Sequence, residues 1–506
     1  MYGIGLDSGT QGTKALIIEI ESGNVVGRGY CRHKMISGLK PGESEQDPRE
    51  WIKALEEAVK EALQDSGLNP EGITCLGVSG QQHGFVPLDQ NYQVLRPAKL
   101  WNDTSTVEEA EEIIAALGGK KSFIEKLGIN LAVGYTASKI LWMKKHEPQN
   151  YKRLKLVLLP HNYLNLYLTG RPHMEYGDAS GTGLMDIRKL TWHEETLQVI
   201  DSQLKEKLPE LSHPAEPVGY LRKEVARKFG FQQVLVSSGG GDNMMAAIGT
   251  GNVMEGTCTV SLGTSGTIFS YSAQPFIDPE GEIAAFCDST GGWLPLLCTM
   301  NVTNTTELLK KLFNLNNQEL EEIISTTKAG ASGLLFLPFI DGERVPVIPE
   351  ASGVFFGLTR QNFDRANLAR AVVEGTILNL GYGFSRMKSL GLQPKEIRAT
   401  GGGARSQAWL QVLADVFETQ VITLREPESA AYGAALQAIW TYLNEKGEKK
   451  ELRELVGDLV KKDTLAAVPD PFRSELYRKI QQRFNSLWQR LIPEFSQHRH
   501  LVKTNL

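Results

Sequence analysis

With 506 residues, 41% of them apolar and 22% charged, the chain can bury more than one core, which excludes the disordered and fibrous classes. A net charge of −5 argues against nucleic acid as the main partner, and no apolar run has the length of a membrane span or the form of a signal peptide. Five scattered cysteines (Cys31, Cys75, Cys258, Cys287 and Cys298) lack metal-ligand spacing and fit reduced thiols in the cytoplasm.

Tyr2 to Leu6 is an apolar, glycine-bearing run that predicts a buried strand. A polar loop follows, Asp7-Ser8-Gly9-Thr10-Gln11-Gly12-Thr13-Lys14, and then a second apolar run, Ala15 to Ile18. Strand, glycine turn and strand make a hairpin. Gly9 and Gly12 let backbone N–H groups converge on an anion, with Thr10, Thr13 and Lys14 beside them. A carboxylate next to such an anion needs a cation between the two, so Asp7 points to Mg²⁺ beside a phosphate; an ordinary hairpin turn is the alternative. The loop recurs as Leu262-Gly263-Thr264-Ser265-Gly266-Thr267, which matches Ser8 to Thr13 at four of six positions. It too lies between apolar runs, Cys258 to Leu262 and Ile268-Phe269. Two such hairpins predict two related lobes with a polyphosphate in the cleft between them.

Asn24 to Tyr30 reads as a third strand. Asp47-Pro48-Arg49-Glu50 reads as a helix start, with Asp47 as cap and Pro48 in the first turn. Trp51, Leu55, Ala58, Val59 and Ala62 continue that helix at its period, and Ile73 to Val78 is the next strand. It runs into Gly80-Gln81-Gln82-His83-Gly84, where Gln82 and His83 lie beyond a strand end and suit sugar hydroxyls; a structural histidine is the competing reading. Leu100-Trp101-Asn102-Asp103 offers an aromatic wall and a polar tip, as a carbohydrate site wants. Asn102 or Asp103 equally suits a cap for the acidic helix near Val107. His161, His173 and His193 have no companions at ligand spacing and read as structural or exposed.

Val234 to Val236 is a compact strand that leads into Gly239-Gly240-Gly241-Asp242-Asn243 and a helix from Met244. Asp242 stands at that helix start, either as a cap or as the acceptor of a substrate proton. Leu368 to Leu380 is a strong helix. Ile397 to Thr400 precedes Gly401-Gly402-Gly403-Ala404-Arg405-Ser406-Gln407, a glycine-rich strand–helix junction suited to a base or ribose. Gly433-Ala434-Ala435 lies in a small-residue helix able to pack closely on a neighbour, Lys446 to Lys450 is a charged linker, and Phe472 to Leu491 is a final amphipathic helix. A P-loop, a full dinucleotide fingerprint and a nucleophile elbow are all missing.

Four motifs in this order resemble the FGGY carbohydrate kinases: the Asp7-x-Gly9-Thr10 loop, Gly239 to Asn243, Leu262 to Gly266, and Gly401 to Ser406. The resemblance implies an α/β fold of two ribonuclease-H-like (actin-like ATPase) lobes with a central cleft that closes on its substrates. It divides the chain into a sugar-binding and catalytic lobe over 1–245, a nucleotide-binding lobe over 246–445, and a helical tail over 446–506 that packs on the lobes. Ser44 to Pro48, Gly80 to Gly84, Leu95 to Asp103, Gly342 to Pro346 and Gly353 to Leu358 are most similar to the members acting on D-xylulose. The activity this resemblance implies is ATP-dependent phosphorylation of a small ketose, D-xylulose, on its 5-hydroxyl. Asp242 would be the general base, and Asp7 would act on Mg²⁺. Gln82, His83, Asn243, Trp101 and Asp103 would line the sugar site. Gly9, Thr10, Thr13, Lys14, Gly263, Thr264, Asn304, Gly402, Gly403 and Gln407 would hold ATP. Many bacterial members carry Met where this chain has Gln82, which keeps ribulose or another ketose or polyol open as substrate. A non-kinase actin- or chaperone-like ATPase is the other alternative. The expected partners are small molecules, with neither nucleic acid nor membrane, and the expected assembly is a homodimer.

Overall fold

The computed structural model describes residues 1–505, and they form two compact units. Unit 1 consists of Met1–Met254, Tyr271–Pro295 and Glu428–Val460; unit 2 consists of Glu255–Ser270, Leu296–Pro427 and Lys461–Leu506.

The first hairpin sets the sheet of unit 1. Tyr2–Ser8 and Gly12–Glu19 pair antiparallel, with Asp7 opposite Lys14 and Ser8 opposite Thr13. Val25–Arg32 adds antiparallel to the second strand. The chain then turns into the helix Pro48–Ser66, capped by Asp47, whose carboxylate accepts from the Arg49 amide at 3.0 Å. That helix buries Trp51, Leu55, Ala58, Val59 and Ala62 with the strand residues Ile4, Leu6, Ala15 and Ile17 in one core. It returns the chain to Ile73–Gly80, parallel to the first strand, and Leu235–Val236 pairs parallel beyond it. The sheet order is therefore third, second, first, fourth, fifth, with the second strand antiparallel to its neighbours.

Unit 2 repeats the order. Thr257–Leu262 and Gly266–Ser270 form the hairpin, and Trp293–Thr299 pairs antiparallel with the latter through residues 296–299. Glu396–Thr400 and Val421–Leu424 follow in parallel on the other side. This is the expected duplicated α/β fold. The two hairpins differ at the tip. In the first, Ser8 faces Thr13 across the ladder; in the second, Leu262 faces Gly266, one residue tighter. Residues 446–506, expected as a helical tail, also contain the strand Lys462–Ala467, antiparallel to Val421–Leu424, between the helices Leu452–Leu459 and Pro471–Asn505. No helix among the described residues is long and apolar enough to cross a membrane.

The helix Ser429–Glu445 closes unit 1 by backbone contact. A Cβ on Gly5 of the first strand would lie 1.9 Å from the Ala431 carbonyl oxygen, and one on Gly433 would lie 1.8 Å from that of Met245. The second contact locks the helix Asp242–Gly249 against Ser429–Glu445. Gly433→Ala puts a methyl group onto backbone that has no room to give, so it is expected to lower stability by about 2 kcal/mol or more. Gly457→Ala, in the helix Leu452–Leu459 with open space around its Cβ position, is expected to raise stability by about 0.5–1 kcal/mol. Urea unfolding of both variants checks the opposite signs.

Candidate active site

Asp7 sits at the carboxyl end of the first strand, half-buried, level with Ser79 of the neighbouring parallel strand. The Ser79 hydroxyl donates to Asp7 Oδ1 at 2.9 Å. Burial pushes the Asp7 carboxyl up, while Ser79 and the Lys14 ammonium pull it back. Lys14 bonds to the Glu428 carboxylate. The Gly9 amide donates to the Gly12 carbonyl at 3.1 Å, closing the tip. Thr13 faces inward: its hydroxyl donates to Ser8 Oγ at 3.2 Å and meets His33 Nε2 at 2.8 Å. Beside this tip lies a cavity of about 740 Å³ lined by Asp7, Gly9, Thr10, Lys14, Arg28 and Glu428 among others, a volume suited to a small ligand.

Two glutamines that the sequence reading did not assign brace the loop. Gln46 Nε2 donates to the Thr10 carbonyl at 2.6 Å, and Gln81 Nε2 donates to Gln46 Oε1 at 3.0 Å. Trp51 Nε1 reaches the same Gln46 oxygen at 2.9 Å. The Thr10 hydroxyl donates to Gln81 Oε1 at 3.2 Å and accepts from Trp101 Nε1 at 3.0 Å. Trp101 therefore touches the phosphate-type loop through its indole N–H. Gln46 stood next to a recognised helix cap and Gln81 next to Gln82, but nothing local marks either as a brace.

The second cluster grows from the end of Ile73–Gly80. His83 adopts φ +61°, and its ring lies 4.4 Å from that of Tyr135 and 5.5 Å from that of Phe286. A Cβ on Gly181 would come within 2.4 Å of the His83 ring, so only glycine leaves space for it. Gln82 is buried and accepts from Asn243 Nδ2 at 2.9 Å, while its own Nε2 has no partner among the described residues. A buried amide donor without a protein partner leaves one hydrogen bond to be made by water or a ligand. Gly240–Gly241 pairs with Ser79 and Gly80, which carries Asp242 to the first position of the helix Asp242–Gly249. Asp242 Oδ1 accepts from the Asn243 amide at 2.8 Å and from Asn243 Nδ2 at 3.0 Å. Burial, then the negative charges of Asp7 and Asp178, push the Asp242 carboxyl up to about 7, against the pull of Asn243. A carboxyl poised near neutrality beside a buried free amide is a candidate acid–base group.

His161 is structural, as expected: it is buried, with Nδ1 2.9 Å from Asp178 Oδ2. Asp103 is fully buried, and its oxygens are occupied by the Ser44 amide at 2.8 Å, Lys99 Nζ at 3.1 Å and the Ser105 amide and hydroxyl at 3.0 and 2.5 Å. Both Asp103 oxygens are therefore already hydrogen-bonded within unit 1. Neither Asn102 nor Asp103 caps the acidic helix Val107–Ala116, whose cap position is Thr106.

In unit 2 the corresponding loop docks on a helix start. The Val302 amide donates to the Thr264 carbonyl at 3.1 Å, and the Thr303 amide donates to the Gly263 carbonyl at 3.0 Å. Asn304 sits in the first turn of that helix, Thr303–Phe313. A Cβ on Gly401 would fall 2.8 Å from the Leu262 carbonyl carbon, so the Gly401–Gly403 turn lies on the end of the hairpin strand. Gly402 has open space around it. The Gln407 amide bonds to the Ala466 carbonyl of the edge strand. Among the described residues, no group of three or more His, Cys, Asp or Glu could hold a metal.

Residues 2–249 match the N-terminal domain of the FGGY family of carbohydrate kinases, and residues 249–442 match its C-terminal domain. A xylulose kinase of Haemophilus influenzae is 43% identical over 461 residues, covering 90% of this chain and 93% of that protein. The crystal structure of a xyloylose kinase from Brucella ovis is similar with a TM-score of 0.90 at 32% identity, covering 97% of this chain and 99% of that one. The crystal structure of a gluconate kinase from Lactobacillus acidophilus also has a TM-score of 0.90, at 25% identity, covering 98% and 99%. Matched over nearly its whole length, the chain belongs to the FGGY family of carbohydrate kinases.

Proposed function

We propose that the protein transfers the γ-phosphoryl group of ATP to the 5-hydroxyl of D-xylulose, with Asp242 as the general base. The observation that carries this is the raised Asp242 carboxyl at a helix start, hydrogen-bonded to Asn243, whose side chain bonds to Gln82 with its unpartnered Nε2. Asp242 takes the hydroxyl proton, the sugar oxygen bonds to the γ-phosphorus, and the bond to ADP breaks. Gln82, His83 and Asn243 orient the ketose. Each unit carries candidate nucleotide contacts of its own: Gly9, Thr10 and Lys14 in unit 1, and Gly263, Thr264, Asn304, Gly402 and Gly403 in unit 2. In this reading residues 1–245 carry the sugar and the base, and residues 246–445 carry most of the nucleotide contacts.

Asp7 fits Mg²⁺. It is a half-buried carboxylate beside a glycine loop, and Mg²⁺ is held by one or two carboxylates with water and substrate phosphates rather than by a closed protein cage. When bound, the ion neutralises charge on the transferring group. The choice of D-xylulose rests on sequence identity with the Haemophilus influenzae protein, since the fold itself is shared with a gluconate kinase. The cysteines are free thiols, in keeping with work in the cytoplasm.

ADP release with Mg·ATP, measured against D-xylulose, D-ribulose, L-ribulose, L-xylulose, gluconate, glycerol and no sugar, tests the reading. D-xylulose is expected to lead, and Asp242→Ala to lose at least ~10²-fold in kcat. Another leading sugar overturns the substrate choice, and turnover that ignores all sugars overturns the kinase reading.

The same carboxyl predicts two pH effects. Protonated Asp242 cannot accept a proton, so kcat/KM is expected to fall on the acid side with a midpoint near the Asp242 value of about 7. Stability runs the other way. A raised carboxyl favours the folded state below its unfolded pKa, and this contribution is lost as pH rises through the folded value. Asp242→Asn removes the ionised group, so relative to wild type the variant is expected to gain about 2–4 kcal/mol between pH 4 and pH 8 in urea titrations.

A further inference from the structure

Lys139 is a lysine with no exposed surface, in the helix Thr136–His146. Burial pushes its ammonium down to about 7, with Asp103 pulling it up and Lys99 pushing it further down. Neither of those charged neighbours is its hydrogen-bond partner. Its Nζ donates to two backbone carbonyls, that of His83 at 2.7 Å and that of Gly134 at 2.5 Å. The Thr136 hydroxyl, one turn earlier on the same helix, donates to the same His83 carbonyl at 3.2 Å. His83 is a non-glycine residue with φ +61°, a conformation that costs free energy unless its surroundings hold it.

We propose that Lys139 is a positioning residue for the sugar site: with Thr136 it grips the His83 carbonyl and keeps His83 in the left-handed turn that aims its ring. This rests on the reading of His83 as a ketose contact. Two sets of constraints then fix His83, one on its ring and one on its backbone. Its ring is confined by Tyr135, Phe286 and the space that Gly181 leaves. Its backbone is confined by two donors from one helix. A methionine of similar length would fill the volume of Lys139, but it cannot donate. The carbonyl of a strained residue would lose its strongest partner, and the turn would relax toward ordinary φ.

Steady-state kinetics of Lys139→Met, Thr136→Val and His83→Ala test this. Lys139→Met is expected to raise the KM for D-xylulose ~10–100-fold, the scale of a buried carbonyl left without its donor, with the KM for ATP within about twofold. Thr136→Val, a milder change that keeps the protein folded if Lys139→Met does not, is expected to raise the same KM about 2–10-fold, the scale of a neutral bond. Equal rises in the KM for both substrates would mark a general structural role and overturn the proposal. So would an unchanged KM for D-xylulose in both variants while His83→Ala raises it. If His83→Ala leaves that KM unchanged, the reading of His83 as a ketose contact falls, and the proposal with it.

Discussion

A contact without side chains holds unit 1 together. Where the helix Ser429–Glu445 meets Gly5 of the first strand and the helix Asp242–Gly249, main chain lies directly on main chain. Interiors are packed too densely for such a seam to absorb an extra methyl group. The candidate chemistry depends on that seam in two ways. It sets the height of the helix whose first residue is Asp242. It also brings Glu428, the residue before Ser429, to Lys14 on the first hairpin. Asp242 and Glu428 are thus both placed by one backbone junction, and Lys14 joins it through its ion pair with Glu428.

The electrostatics follow from the same frame. Burial hinders the ionisation of both Asp7 and Asp242, and the negative charge of Asp7 adds to it at Asp242. The hairpin of unit 2 has no such charge. Position for position, Ser261 stands where unit 1 has Asp7, Ile268 stands where it has Lys14, and the tip pairs one residue tighter. Two loops of similar composition therefore present different groups. Duplication accounts for the common topology, and divergence at the tips accounts for the separate parts proposed for them.

Local features were legible in the sequence. Both hairpins, the Asp47 cap with Pro48, and the helix beginning at Asp242 were readable because turn glycines, caps and apolar periodicity act over a few residues. The close-packing helix around Gly433 was readable from its small residues. What escaped depends on distant partners. Asp103 looks like a polar tip in the chain, and only the fold brings the Ser44 amide, 59 residues earlier, to its carboxylate. The bond of the Gln407 amide to a strand 59 residues further along could not be read from its junction. Gln46 and Gln81 brace Thr10 only once a sheet and a helix have brought them together.

The interleaving of the two units along the chain bears on biosynthesis. Unit 1 begins at Met1, but its sheet is covered by Ser429–Glu445, and unit 2 takes its edge strand from Lys462–Ala467. On a ribosome the first hairpin and its helix emerge long before either closing segment exists. During that interval the glycine-lined face of the first strand is bare apolar surface of the kind that makes nascent intermediates aggregate. Neither unit can finish folding before residues 429–467 have been made. Synthesis interrupted before residues 429–467 therefore leaves the sheet of unit 1 uncovered and that of unit 2 without its edge strand, although Asp7, Gln82, His83 and Asp242 have long since been made.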